Sequence, residues 1–184
     1  MAGGLAAAGV RRRSLIRAAR QSELGDLARL EVQAGQLFHT VGMAEIADHA
    51  VDRQALRRSQ RQGLIWVAEE GERTVGYVIA AVLDGNAHIE QVSVAPTHAR
   101  RGIGRRLIAH VEGWGRREGR PATTLTTFRD VPWNGPYYRR LGYRELSNAE
   151  IGRELTATMR HEAALPGMES AFRCAMIKAN GPAP

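Results

Sequence analysis

The chain lacks the residues that would tie its fold to oxidation or to a metal. Its 184 residues include one cysteine, Cys174, so no internal disulfide can form. No spacing of cysteine and histidine resembles a zinc site, and we expect no metal. Cys174 lies in the apolar segment 172–177 and is expected to be a core residue, not a nucleophile. This cysteine usage favours a reducing, cytoplasmic location.

Long apolar runs are also missing. No segment approaches the ~18 uninterrupted apolar residues of a transmembrane helix, so we expect no membrane partner. Residues 1–13 place small apolar side chains before the arginines, which is the reverse of a secretory signal. The same residues contain arginines and no acidic residue, which is typical of a mitochondrial targeting signal, so such a signal is the alternative. We predict a flexible N-terminal lead over 1–13 and one domain over 14–184.

Lysine is nearly absent, because Lys178 is the only one, yet arginine gives the chain a formal net charge of +7. A chain this basic could bind nucleic acid. Its arginines, however, are scattered as pairs and triplets without interleaved aromatics, and aromatics make up only 5% of the sequence. We therefore expect an anionic small ligand and no nucleic-acid partner.

The most informative segment, residues 92–108, reads as a strand, a glycine turn and the start of a helix. β-Branched residues lead into Pro96, and Gly102 and Gly104 follow with one residue between them. Neither glycine has a Cβ, and the helix predicted from about Gly104 adds unpaired N–H groups. Three arginines bring formal charge to the turn: Arg100, Arg101 and Arg105. These features fit a pyrophosphate site.

The turn differs from two better-known phosphate loops. A P-loop would need lysine and then serine or threonine after Gly104, where this chain has Arg105 and Arg106. A dinucleotide fingerprint would need a third glycine at the position of Leu107. By itself the turn leaves open which anion it binds, and also the alternative that it binds nothing.

The elements around the turn follow an α/β order. Hydrophobic periodicity predicts a strand, two helical regions, a three-stranded meander and the helix after the turn. A strand, a short helix, a short strand, a helix and a final strand follow. In chain order these are Ser14–Arg20, Gln21–Phe38, Met43–Arg61, Leu64–Ala68, Thr74–Leu83, Ala87–Val94, a helix from about Gly104 to near Gly119, Thr123–Phe128, Tyr137–Leu141, Tyr143–Leu146, Ala149–Arg160 and Phe172–Ala179.

The last meander strand shows a slip in its period of two. Its apolar positions are Ala87 and Ile89, then Val92 and Val94. A slip of one residue predicts a β-bulge at Glu90 and Gln91, which would leave backbone groups unpaired. The alternative is that these two residues are simply the exposed part of a half-buried strand.

Two segments together carry a resemblance to a known family. Residues 92–107 hold Val-Ser-Val-Ala-Pro and then Arg-Gly-Ile-Gly-Arg-Arg-Leu, and residues 134–143 hold Asn-Gly-Pro-Tyr-Tyr-Arg-Arg-Leu-Gly-Tyr. With the element order, they resemble the acetyl-CoA signature and the later tyrosine segment of the GNAT superfamily of N-acyltransferases. The resemblance covers about Ser14–Ala179. It implies one α/β domain of the α+β type, with a central mixed, largely antiparallel sheet and helices on both faces.

The resemblance also implies how acetyl-CoA would be held. Unpaired backbone of Val92 and Val94 would bind the pantetheine arm and polarise the thioester, and Asn134 matches the family's cofactor-contacting asparagine. The pyrophosphate would lie on the turn, at Arg101, Gly102, Ile103, Gly104 and Arg105. One position departs from the family pattern, because Ala99 stands where a glutamine or arginine is expected. Either Arg100 or Arg101 would replace its charge.

Acyl transfer to an amine needs a base and an acid. Tyr138 matches the family's tyrosine, four residues before Gly142, and would return a proton to the thiolate; its neighbour Tyr137 is the rival. Glu90, two residues before Val92, is the candidate base. His88 and a water relay are the alternatives, since a carboxylate is a weak base for an ammonium unless burial raises its pKa.

We expect an N-acetyltransferase that acts on the primary amine of a small molecule. A peptide or protein acetyltransferase is the first alternative, and a non-catalytic acyl-CoA-binding module of the same fold is the second; a homodimer is allowed. The acceptor pocket is expected between Leu37–Arg61, the meander and the loop 128–133. Aromatic and acidic candidates for its wall are Phe38, Phe128, Trp133, Glu31, Glu45 and Asp48.

Overall fold

The computed structural model describes residues 14–48, 51–169 and 172–181, so the predicted lead at 1–13 lies outside them. This part of the chain has seven strands: β1 (Leu15–Ala18), β2 (Ile65–Glu70), β3 (Arg73–Leu83), β4 (Asn86–Val94), β5 (Ala122–Phe128), β6 (Arg144–Glu145) and β7 (Arg173–Ala179). Its α-helices are α1 (Leu24–Gly35), α2 (Ala44–Ala47), α3 (Arg53–Arg61), α4 (Ile103–Arg117), α5 (Gly135–Arg140) and α6 (Arg153–Ala163). Within these ranges no helix has the length and apolar character needed to span a membrane.

The strands form one sheet in the order β1-β2-β3-β4-β5-β7-β6. Neighbouring strands are antiparallel except β4 and β5, which run parallel. A parallel pair needs a crossover connection, and α4 supplies it here. The predicted mixed, largely antiparallel sheet is confirmed.

Helices cover both faces of the sheet, as predicted. Trp66 packs in one cluster with α4, and its neighbour Val67 packs in another with α1 and α3. On β7, Met176 joins the α4 cluster, whereas Ala175 packs with Leu155 of α6. Because successive strand residues point to opposite faces, α4 lies on one face, and α1, α3 and α6 lie on the other.

Two predicted helices are wrong in extent. The region predicted at Gln21–Phe38 is α1 with 3₁₀ turns on each side, and the region predicted at Met43–Arg61 is two helices, α2 and α3. Gly42, at φ 74°, ends the turn before α2. Asp52 then begins α3, because its carboxylate accepts hydrogen bonds from the N–H groups of Gln54 and Ala55, at 2.8 and 3.0 Å. These local signals divide a region that the hydrophobic periodicity predicts as one helix.

Strand β4 carries the bulge that its hydrophobic period predicts. Ile89 and Gln91 pair with successive residues of β3, so Glu90 is the extra residue between them. Toward β5, the described pairing covers only Ala87–Ile89. Beyond Ile89 the two strands part, and the sheet opens into a gap.

Candidate active site

A cavity of about 980 Å³ lies at the gap between β4 and β5. A volume of this size is in the range of cofactor and ligand sites. Basic side chains line it where β4 runs into α4 and on α5: His98, Arg100, Arg105 and Arg140. Carboxyl groups line it on α1, on the bulge and on α6: Glu31, Glu90 and Glu162. One further basic residue, Arg173, lines the acidic side, where it forms an ion pair with Glu162 at 2.9 Å. Apart from that pair, basic residues lie at one side of the cavity and carboxyl groups at the other.

The glycine turn has the backbone geometry of an anion site. Arg100 has φ 60° and Gly102 has φ 75°, both left-handed, and α4 begins at Ile103, one residue before the predicted start. The N–H groups of Ile103, Gly104 and Arg105 lie in the first turn of α4, so no carbonyl of that helix can accept from them. A Cβ on Gly104 would lie 3.7 Å from Val94 and 3.8 Å from the Tyr137 hydroxyl, at the cavity wall. The turn therefore offers donors and positive charge to one face.

The structure distinguishes between the arginines of the turn. Arg100 and Arg105 line the cavity. The Arg101 guanidinium lies 3.8 Å from Glu70, and Arg106 bonds to Ser14. Only the backbone of Arg101 is therefore a candidate contact for the anion. Arg100 is the better candidate for the positive charge that the family pattern expects at the position of Ala99.

Val92 and Val94 present backbone groups to the gap. The N–H of Ala95 donates to the carbonyl of Val75, on the β3 side, at 2.9 Å. Donors alternate in direction along an antiparallel strand, so the N–H groups of Val92 and Val94 point away from β3. On that side lies the gap, and both residues line its cavity. The geometry fits a peptide-like arm bound along β4.

Asn134 and two tyrosines lie where β5 leads into α5. The Asn134 amide donates to the Thr127 hydroxyl at 2.8 Å, and its side-chain oxygen is buried with no partner in the described structure. Tyr138 packs edge-on against the rings of Tyr137 and Tyr143, each 5.7 Å away. Burial raises the pKa of Tyr138, with Tyr137 adding to the effect, so the phenol stays protonated at neutral pH. All three candidates, Asn134, Tyr137 and Tyr138, line the cavity.

Glu90 projects from the bulge into the cavity wall, where water can reach it. Crowding by the surrounding protein raises the pKa of Glu90, and the Glu162 carboxylate adds to this, while Arg58 opposes it. A carboxylate with a raised pKa holds a proton more readily, as a base must. Glu90 thus remains the candidate base.

His88 lies elsewhere. Its side chain is 1% exposed, its Nδ1 is 2.9 Å from the Thr124 hydroxyl, and it is not among the described residues that line the cavity. Burial lowers the pKa of His88 to about 4. It is a neutral core histidine in this fold, which favours Glu90.

Sequence reasoning missed an ionic cluster at the acidic side. Glu162 accepts hydrogen bonds from the Thr126 hydroxyl at 2.7 Å and from Arg173 at 2.9 Å, and Arg173 lies 4.9 Å over the Phe128 ring. Asp84, in the β3–β4 turn, fixes α6 by accepting from the first N–H groups of that helix. No motif marks Glu162, because its role depends on how α6 packs on the sheet.

The predicted aromatic wall is present. Phe38 packs edge-on against Phe128 and Trp133, with ring centres 5.6 and 5.7 Å apart, and all three line the cavity. Of the acidic candidates, Glu31 lines the same cavity and bonds to the buried Tyr77 phenol. Asp48 instead lies 3.3 Å from His39. This side of the cavity therefore combines aromatic rings with carboxyl groups.

Comparison with known proteins gives one family and a common fold. A family model described as the acetyltransferase (GNAT) family matches residues 18–143. The ribosomal-protein-S18-alanine N-acetyltransferase of Escherichia coli has a TM-score of 0.65 at 16% identity, over 93% of this chain and 96% of that one. PaiA N-acetyltransferase of Thermoplasma acidophilum, solved with coenzyme A, has a TM-score of 0.67 at 12% identity, over 91% and 99%.

N-acetylglutamate synthase of Neisseria gonorrhoeae, solved with coenzyme A and N-acetyl-glutamate, has a TM-score of 0.68 at 16% identity. It aligns over 92% of this chain and 36% of that one. At such identities the likeness to each structure is one of fold.

Proposed function

Since the chain belongs to the acetyltransferase (GNAT) family, we propose that it transfers an acetyl group from acetyl-CoA to the primary amine of a small molecule. The observation that carries the proposal is the charge-divided cavity at the gap between β4 and β5. Its basic side suits a pyrophosphate. Its acidic and aromatic side suits an amine.

The residues present fit acetyl-CoA. The first-turn N–H groups of α4, with Arg100 and Arg105, would bind the pyrophosphate. The N–H groups of Val92 and Val94 would bind the pantetheine arm and polarise the thioester oxygen. The side-chain oxygen of Asn134, which has no partner in the described structure, would accept a hydrogen bond from the cofactor. When bound, the cofactor supplies an activated acetyl group.

Two side chains would move the protons. Glu90 would take a proton from the acceptor ammonium, directly or through a water, and so expose the nitrogen lone pair. Tyr138, protonated at neutral pH, would return a proton to the departing sulfur. Both line the same cavity, Glu90 from β4 and Tyr138 from α5, the helix that follows β5.

A screen of amines measures the proposed activity. The protein would be incubated with acetyl-CoA and, separately, with amino acids, diamines, aminoglycosides and short peptides, and the released thiol would be titrated. Cys174 is buried and its pKa is raised by burial, so it should contribute little background. We expect release with a small amine. Release with peptides alone would move the function to the protein or peptide alternative, and binding without release would indicate the non-catalytic module.

Glu90→Gln is expected to lower kcat at neutral pH by about a hundredfold, which is within the range of general-base catalysis. The loss should shrink as pH approaches the pKa of the acceptor, because a neutral amine needs no base. In the unsubstituted chain, kcat/KM should rise with pH as Glu90 ionises, at a pH above that of an ordinary glutamate because its pKa is raised. Glu162→Gln should move this rise in kcat/KM to lower pH, since it removes a negative charge that raises the pKa of Glu90.

The matched control for this profile is Glu72→Gln, an exposed glutamate between β2 and β3. Its pH profile should equal that of the unsubstituted chain. A loss in Glu90→Gln that is equal at every pH would argue against the base role.

A further inference from the structure

A second cavity extends the acceptor side of the first. It has a volume of about 680 Å³ and shares three wall residues with the cavity at the gap: Ile46, Phe128 and Pro132. Its remaining wall comes from the segment before and within α2, the loop after β5 and the segment before β7. The two cavities therefore adjoin, on the side away from the basic turn.

Part of the wall of the second cavity is apolar. Val41, Met43 and Val131 line it, together with Phe172, whose side chain is 62% exposed. An exposed phenylalanine at the mouth of a cavity leaves apolar surface that a ligand can cover. This apolar part of the wall suits the hydrocarbon part of a ligand.

The rim of the second cavity is acidic. Glu45, Asp130 and Glu169 line it and are exposed, and none of the described residues that line it is basic. None of the three forms an ion pair with another described residue. In a chain with a net charge of +7, unpaired carboxylates gathered on one cavity create a local negative potential. That potential is complementary to a cation and repels an anion.

We propose that the acceptor is an elongated small-molecule amine with an apolar body and a second positive charge, which lies in this second cavity. One amine would meet Glu90 at the gap, the body would cross Phe128 and Phe172, and the distal cation would lie among Glu45, Asp130 and Glu169. The inference rests on the proposed function, because it names the acceptor of that same site.

Three acceptors of equal length test the distal charge: diaminooctane, octylamine and aminooctanoic acid, with a positive, a neutral and a negative far end. We expect kcat/KM to fall in that order, by about three- to tenfold at each step, which is the range of a few partly exposed charge pairs. Added salt should reduce the differences in kcat/KM between the three acceptors, since the acidic rim is exposed to solvent.

The variant Glu45→Gln, Asp130→Asn, Glu169→Gln should remove the preference for the diamine, so that the kcat/KM values of the diamine and octylamine converge. The matched control neutralises two exposed acids elsewhere, Glu72→Gln and Glu118→Gln, and should keep the preference. Phe172→Ser should lower kcat/KM for all three acceptors alike.

Equal use of the diamine and the monoamine, or a preference that survives neutralisation of the rim, would overturn the inference and leave the proposed function standing. A basic peptide used better than diaminooctane would overturn it too. If no amine releases thiol from acetyl-CoA, the proposed function itself fails, so the two failures are distinguishable.

Discussion

Replacing Gly104 by glutamate is expected to abolish acetyl-CoA binding. The new side chain would start at the cavity wall, near Val94 and Tyr137, and place a carboxylate among the N–H donors of the α4 N-terminus. A like charge about 4 Å from a phosphate costs on the order of 4 kcal/mol near a protein surface, or roughly a thousandfold in Kd. Saturating acetyl-CoA should raise the Tm of the unsubstituted chain by about 5–10 °C and leave that of Gly104→Glu unchanged.

Two control variants test whether the effect of Gly104→Glu comes from the charge and size of the new side chain at the site or from a general loss of stability. Gly113→Glu lies on the same helix, where a Cβ would face only the flexible ends of Arg116 and Arg117, and it should keep the Tm shift. Gly104→Ala adds a Cβ at ordinary contact distance from its neighbours and should reduce the shift only in part. If acetyl-CoA does not shift the Tm of the unsubstituted chain, the proposal that it is the cofactor fails.

Tyr138→Phe is expected to lower kcat by about a hundredfold or more, with KM for acetyl-CoA changed by less than about twofold. Phenylalanine keeps the ring between Tyr137 and Tyr143 and removes only the proton that would be returned to sulfur. Because burial raises the pKa of Tyr138, the phenol is protonated throughout the neutral range, and the loss should be the same from about pH 6 to about pH 9. This flat profile distinguishes the acid from Glu90, whose substitution should matter less as pH rises.

The neighbouring hydroxyl provides the matched control. Tyr137→Phe removes a phenol from the same cavity and the same helix, and its effect on kcat should be small. If Tyr137→Phe carries the large loss and Tyr138→Phe does not, the acid is Tyr137. Loss of thermal stability in Tyr138→Phe without loss of turnover would make Tyr138 a packing residue only.

The site could be predicted where its chemistry depends on neighbouring residues in the chain. The glycine turn, the strand before it and the bulge at Glu90 are all local, since a strand period, a left-handed glycine and a helix start are set by a few consecutive residues. The tyrosine segment is local for the same reason. The hydrophobic period does not give the start of α3, because the Asp52 cap outweighs a weak period.

Other parts of the site depend on contacts between distant segments. Which arginine faces the cavity follows from the turn conformation and from Glu70, on another strand, which lies beside Arg101. The choice between Glu90 and His88 follows from burial of His88 beside Thr124 of the parallel strand. Glu162 and Arg173 come together only because α6 and β7 meet at β5.

By itself, the sequence determined the family resemblance, the α+β order of elements, the glycine turn and the two tyrosines, because each is encoded in short stretches whose spacing fixes local geometry. The tertiary structure alone decided the direction of the turn arginines, the burial of His88, the carboxyl groups around Glu90 and the acidic second cavity. Those features are made by residues far apart in the chain, and their charges and pKa values depend on burial and proximity, which no local pattern records.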